Sequence, residues 1–403
     1  MPRLLTYPYY AAHRALAWTC DRTLEHAAAA AIRARSVTPD SRRLLLQGML
    51  AAIGGAAHTL KLLPRVDVSA LNGPDWSVAF IGDPYLQSQL SNLLFDTDPP
   101  RRRLGRVPFW DLQSAVDHAL AEYPLVVCSL PQTMRVAWRP TAPVTFVTPP
   151  FIDHILDLRT PLDVHLRGTA RQEVRQLVAR VRASRLTWRT TTLASDVSRF
   201  YHQIYVPFQT TRHGQAALLE SYDRLAARVA SGRVVLVELL ADGAVVGGNL
   251  LSLNARVAAS HEMGLALVLP PDLGRLLPTA VFVAGIEQGL RHGCQWFHFG
   301  ASLGSWSDPV CRAKRRWGAR TVSLGRIDHP EWTWLARELP PGIAARVNQI
   351  GPVTFERDRC YVVRAETPET ARLPAGPLDG ADGFLMVAPG RREFVDALRR
   401  SAQ

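Results

Sequence analysis

Apolar positions along this chain follow two periods that alternate from about residue 64 onward. DWSVAFIG and PLVVCSL read as strands, VTFVTPPFIDHILDL as one strand or two, and PFWDLQSAVDHALAEY as a helix between them. A long helix is expected from Pro161, a residue suited to a first helical turn, to Ser184. LTWRTTTL is strand-like. SDVSRFYHQIYVPF is a helix begun by Ser195 or Asp196 and broken at Pro207. RVVLVELLADGAVVGGNLLSLNARVAASHEMGLAL carries two or three antiparallel strands, with Asp242-Gly243 as a hairpin turn. LPPDLGRLLP reads as a loop, and TAVFVAGIEQGLRHG as a helix ended by Gly293. QWFHFGA is then a short buried strand, DPVCRAKRRWG a helix from Asp308-Pro309 to Gly318, and ARTVSLGRI another strand.

These elements predict an α/β protein whose halves share a succession of helix, hairpin, helix and strand, as two related lobes would. The expected divisions are a helical region over 1–63, a first lobe over 64–185, a second over 186–365, and a loose tail over 366–403. The tail is rich in Pro, Gly and Asp, with one short final helix. No period of 20 to 50 residues repeats cleanly. The 403 residues suit about two to three domains.

Composition adds less than pattern does. Hydrophobic residues at 47% and charged residues at 20% match folded globular domains. The net charge of +12 and the pI near 10.1 favour anionic partners. Five widely spaced cysteines form no CxxC or Cys/His cluster, so a reducing compartment without structural zinc or any other metal is expected. The apolar run LLLQGMLAAIGGAAHTL, residues 44–60, is broken by Gln47, three glycines and His58, and reads as a buried helix rather than a membrane span. With no apolar leader at the start, the expectation is a cytoplasmic enzyme with peripheral membrane contact at most.

No Walker loop, GxGxxG after a strand, GxSxG elbow or HExxH is present, which excludes the corresponding nucleotide, hydrolase and zinc-protease sites. Three features remain. On one helical wheel, Arg167, Arg171, Arg175, Arg182 and Arg185 form a stripe that is either a solvated face or an anion-binding one. In FYHQIYVPFQTTRHGQ, Arg212 offers a planar fork for a phosphate or carboxylate, and His213 is either a base or a hydrogen-bonding turn residue. In FHFGASLGSWSDPVCRAK, Ser302, Asp308 and Lys314 come close along the chain. Of the 47 Lys and Arg residues only Lys61 and Lys314 are lysine. A compact ammonium can follow charge developing on a single oxygen, whereas guanidinium prefers two-oxygen partners; otherwise Lys314 is a stray surface cation.

GLRHGCQWFHFGASLGSWSDPVCRAKRRWGAR resembles the signature of the Fem-type peptidoglycan aminoacyltransferases and the large acyltransferases of tandem acetyltransferase (GNAT) fold. Ala313-Lys314-Arg315-Arg316-Trp317-Gly318 stands where that family has an aromatic-Lys-x-x-aromatic-Gly helix, with Ala313 in place of the first aromatic. RFYHQIYVPFQTTRHG is similar to the family's FY…Y…RHG stretch, and TARQEVRQLVARV to its arginine-bearing helix. The resemblance covers about residues 160 to 330. It implies tandem GNAT-type lobes with mixed, largely antiparallel sheets, the first lobe degenerate, and transfer of an aminoacyl or acyl group onto an amine. By that resemblance Lys314 stabilises the oxyanion, Tyr201 or His213 lies near the acceptor amine, and Arg171, Arg175 and Arg212 hold anionic substrate; Ser302, close to Lys314 along the chain, is a further substrate-binding candidate. Gly274 and Arg275 stand where small acetyltransferases bind the diphosphate of acetyl-CoA, but the glycine-rich loop is absent. The implied co-substrate is aminoacyl-tRNA, or alternatively acyl-CoA, with no bound cofactor. The acceptor is a small-molecule or cell-wall-precursor amine. A non-catalytic binder of anionic polymers is the competing expectation from another class.

Overall fold

The structure is a computed structural model and describes residues 65–108, 111–131, 142–168, 171–214, 217, 219–323, 330–356, 359–366 and 381–396. The helical region expected over 1–63 lies outside the described residues, as does the apolar run within it. The described chain is α/β, with three mixed sheets flanked by helices. The first sheet runs β3 (Arg101–Pro108), β1 (Arg65–Asn72), β2 (Ser77–Gly82), β4 (Leu125–Pro131), β13 (Pro330–Ala336), β5 (Val144–Thr148). The second runs β12 (Arg320–Val322), β6 (Phe151–Asp157), β11 (Trp296–Leu303), β10 (Val257–Leu265), β9 (Ala244–Leu253), β8 (Val235–Ala241), β7 (Leu186–Thr191). Each of these two sheets has a single parallel pair, β2 with β4 and β10 with β11, among antiparallel neighbours.

The two halves interlock. VTFVTPPFIDHILDL does make two strands, but Pro149-Pro150 separates them and they enter different sheets: β5 stays in the first and β6 crosses to the second. Proline offers no N–H to a ladder, so a double proline is a natural place for a strand to leave its sheet. β12 and β13 make the reciprocal crossing. Each sheet therefore holds, beside its parallel pair, a strand from the other half of the chain: β13, from within 186–365, in the first sheet and β6, from within 64–185, in the second.

Helices α4 (Gln172–Ala183) and α8 (Pro271–Arg291) cover one face of the second sheet, burying Val174, Val178, Leu277, Val281 and Ile286 against Leu156 and Phe297. The other face carries α5 (Ala194–Arg199), a π-helical turn (Phe200–Tyr205), α6 (Val206–His213) and α7 (Tyr222–Ala230). These bury Val197, Phe200, Tyr205 and Leu225 against Leu236 and Leu250. Two glycines permit this contact. A Cβ on Gly264 would lie 2.8 Å from the Tyr205 Cα, and one on Gly248 3.0 Å from the Phe200 ring.

Four expectations are corrected. The helix expected from Pro161 to Ser184 is two, α3 (Leu162–His165) and α4, divided at Gly168, whose φ of +97° only glycine adopts freely. The stripe of arginines thus does not ride one helix. The chain does not break at Pro207: the π turn, in which the Val206 N–H bonds to the Tyr201 carbonyl five residues back, places Pro207 in the first turn of the next helical segment, where its missing donor costs little. LPPDLGRLLP is mostly helix, because Pro271 starts α8 and Pro278 lies inside it. The tail is not loose throughout: β16 (Gly383–Ala388) and β17 (Arg391–Asp396) extend a third sheet with β14 (Val353–Glu356) and β15 (Arg359–Ala365), and bury Phe384, Leu385 and Val387. The hairpin turn is as expected, with φ of 47° at Asp242 and 85° at Gly243, the positive values that such a turn needs.

Candidate active site

Irregular backbone and buried charge come together where β10 and β11 part. They pair over only three rungs, Val257–Ala259 against Trp296–His298. Past Ala259 and His298 both strands bulge against their outer neighbours, β10 between Ser260 and Met263, β11 between His298 and Ala301. Paired bulges turn the two strands apart, and bulges concentrate beside active sites because they re-aim side chains and end pairing. Gly300, in the bulge, has φ +79°. A Cβ there would sit 3.3 Å from the Ser260 carbonyl oxygen and 3.8 Å from Lys314 Nζ, so the absent side chain leaves a notch bounded by a carbonyl of β10 and an ammonium.

Lys314 reaches the notch from α9 (Pro309–Arg315), which begins at Asp308, whose carboxylate accepts from the Cys311 N–H at 2.7 Å. The lysine is 5% exposed, and its Nζ donates to the carbonyls of Gly300 at 2.9 Å and Ala301 at 2.7 Å. Two of its three protons therefore fix the bulge and one remains. Burial pulls its pKa down from 10.5 to about 8, against the opposing pull of Asp153, Asp308 and Cys311. Ser302, next along β11, lies 2.7 Å from His154 Nε2. His154 is fully buried, with no partner for Nδ1, and burial together with the Lys314 and Arg315 charges lowers its pKa to about 3, so the ring is neutral.

Asp153 and His298 form a second pair on β6 and β11, with His298 Nε2 2.8 Å from Asp153 Oδ1. Glu262, in the β10 bulge, and Glu220 flank Arg228 at 3.3 and 2.6 Å. Glu262 Oε2 is buried without a partner, and burial and the neighbouring Glu262 raise the Glu220 pKa. None of Asp153, His154, His298, Glu220 or Glu262 stands out in the sequence. The only local signal was a histidine or glutamate interrupting an apolar strand, in FIDHIL, WFHFG and SHEMG.

The residues expected to bind substrate are only partly gathered. Ser302 and Lys314 share the notch region. Arg171 reaches the far end of the lysine helix: its guanidinium donates to the His165 carbonyl at 2.6 Å and lies 3.1 Å from where a Gly318 Cβ would be. Arg316 of the same helix end pairs with Glu173 at 2.6 Å. Arg175 is exposed and makes only a long, 3.4 Å bond to the Leu166 carbonyl, and Arg212 is exposed in the last turn of α6, 6.0 Å from the Phe208 ring. The Tyr201 hydroxyl donates to the Glu220 carbonyl at 2.8 Å, which ties the π turn to the lead-in of α7. The His213 side chain lies outside the described residues. Gly274 and exposed Arg275 are in the first turns of α8, where Pro271 lacks an N–H and Asp272 adds negative charge. Among the described residues no group of three or more His, Cys, Asp or Glu could hold a metal ion, and no helix is long and apolar enough to cross a membrane.

No protein-family model matches the chain, and no curated protein matches it. Solved structures do. The C-terminal domain of a putative lysylphosphatidylglycerol synthetase from Agrobacterium fabrum is 13% identical over 68% of this chain and 81% of its own, with a TM-score of 0.36. FemX is 12% identical over 70% of this chain and 91% of its own, at 0.34. A tandem GNAT protein from the clavulanic acid biosynthesis pathway is 13% identical over 67% and 78%, at 0.30. All three likenesses are distant.

Proposed function

We propose that the chain is an N-acyltransferase that forms an amide by moving an aminoacyl or acyl group from an activated ester to an amine. The observation that carries this reading is the buried lysine at the divergence of β10 and β11, aimed at a glycine notch between two strands. The motif around Lys314 supports it by its resemblance to the Fem-type and GNAT acyltransferases. An activated ester asks little of a protein beyond positioning and positive charge where the carbonyl oxygen becomes an oxyanion. Lys314 supplies that charge from a low-dielectric setting, with two protons on the bulge carbonyls and the third left for the oxyanion.

Aminoacyl-tRNA is the favoured donor. The +12 charge and the exposed arginines Arg175, Arg182 and Arg212 suit a polyanion. The start of α8 is a poor cradle for the diphosphate of acyl-CoA, since a proline and an aspartate occupy the turn whose free N–H groups would bind it. The test measures transfer from a mixed pool of charged tRNA and, separately, from acyl-CoA to a panel of primary amines. Transfer from charged tRNA, reduced about 10²–10³-fold in Lys314→Met at unchanged thermal stability, is the expected result. Consumption of acyl-CoA alone replaces the donor. Binding of tRNA that is steeply salt-dependent, with no transfer and no effect of Lys314→Met, replaces the enzyme with a polyanion binder.

A further inference from the structure

We propose that His298 and Asp153 are the acid–base pair that moves the proton of the acceptor amine. The inference rests on the acyl-transfer reading and adds to it the group that reading lacks. Lys314 is a cation with no lone pair to spare while charged, and His154 is neutral, buried and bonded to Ser302, so neither can collect a proton at the notch.

His298 stands at the point where the strands separate. It forms the last rung of the parallel pair, opposite Ala259, and the chain bulges directly after it. Its side chain and that of Asp153 retain 15% and 20% exposure, unlike the buried His154 and Lys314. With Nε2 2.8 Å from Asp153 Oδ1, the carboxylate holds the imidazole in the tautomer that carries hydrogen on Nε2 and a lone pair on Nδ1. A carboxylate orienting an imidazole in this way is the arrangement of a general base and its positioning partner. Here it lies two residues from the glycine notch.

The step balances without a co-reactant. An ammonium acceptor first releases one proton to solvent. The amine nitrogen then attacks the ester carbonyl carbon, forming the C–N bond, and its N–H proton passes to His298 Nδ1. Collapse of the tetrahedral intermediate breaks the C–O bond, and His298 returns that proton to the departing alkoxide. Asp153 contacts the ring, His154 beside it on β6 interacts with His298, Lys314 and Arg315, and Lys314 interacts with Asp153; His261 and Glu262 lie in the β10 bulge just past Ala259, the rung partner of His298. Glu262, already paired with Arg228, is the rival base.

The experiment uses the full chain, radiolabelled charged tRNA or acyl-CoA as donor, and the same panel of primary amines. His298→Gln is expected to lower kcat/KM about 10²–10⁴-fold with little change in KM and to remove the acid limb of the pH profile. His298→Ala is expected to recover part of its rate with added imidazole. Asp153→Asn is expected to lose less, and to shift the ring tautomer seen by ¹⁵N NMR. An unchanged rate and limb in His298→Gln overturns the inference while leaving acyl transfer intact. So does a limb lost in Glu262→Gln instead, or a loss in His298→Ala that imidazole does not rescue. Absence of transfer by the wild-type chain from either donor overturns the function itself.

Discussion

Burial of Lys314 couples stability to pH, and in the proposed reaction it couples activity to pH in the opposite direction. Its pKa falls from 10.5 in the unfolded chain to about 8 when buried. Between these values the unfolded state holds a proton that the folded state has released, so stability rises with pH through the window and the full cost of the buried charge is felt below pH 8. That cost is about 3 kcal/mol, net of the attractions that offset burial. Denaturant titrations at pH 7 and 10 are expected to show a gain of about 2–3 kcal/mol in the wild type that Lys314→Met lacks. Under the proposed acyl transfer, in which the ammonium faces the oxyanion, the rate is expected to fall over the same range. His154 acts at the other end. Its pKa is depressed to about 3 by burial, so its contribution is present above pH 6.5 and is lost as pH falls from there toward 3, where the unfolded ring takes a proton the folded one refuses. His154→Gln is expected to flatten the acid limb of stability, measured as the denaturation midpoint between pH 4 and 7.

At the scale of elements, β10 can carry the site because its neighbours come unusually close. Gly264 accepts the π turn at a distance where a Cβ would lie 2.8 Å from backbone, not from a movable side chain. Gly264→Ala is therefore expected to destabilise the protein by about 1–3 kcal/mol, checked by denaturant midpoint, and to impair transfer by pushing the π turn off the bulged strand. Much of this level was legible in the sequence. Asp242-Gly243, Asp308-Pro309, Gly293 and Gly318 mark turns and caps by chemistry confined to a few residues, and the lysine helix was found at its expected place. What was not legible is the company the lysine keeps. His298 meets Asp153 across 145 residues, and Ser302 meets His154 across 148, through a strand register that no local period encodes. The helix divided at Gly168 misled for a related reason: its arginines fit one 100° wheel, but a single residue at positive φ ends the wheel.

At the scale of the whole molecule, the reciprocal crossing of β6 and β13 makes the two sheets depend on each other. β13 lies between β4 and β5 with register on both sides, from Trp332 against Ser129 to Trp332 against Thr148, and buries Trp332 and Trp334 at 1% exposure each. β6 likewise lies between β11 and β12 and contributes Asp153 and His154 to the site. The order of elements along the sequence suggests two related lobes, and lobes that folded independently would tolerate division near residue 185. This chain would lose β13, which joins β5 to the rest of the first sheet, and β6, which joins β12 to the second and carries Asp153. Burying an indole is worth about 2–3 kcal/mol, and β13 carries two, flanked by ladder bonds on both edges, so removing it exceeds the margin of about 5–15 kcal/mol by which domains are stable once the exposed core is counted. Chains ending at residue 323 are accordingly expected to be unfolded or aggregated, even though every residue of the lysine motif is present. In the intact chain, tryptophan fluorescence, to which Trp332 and Trp334 in the first sheet and Trp317 against the second contribute, should lose its native signal in one transition that coincides with far-UV circular dichroism. Two separated transitions would mean that each half folds alone and that the crossing strands add little to the coupling between them.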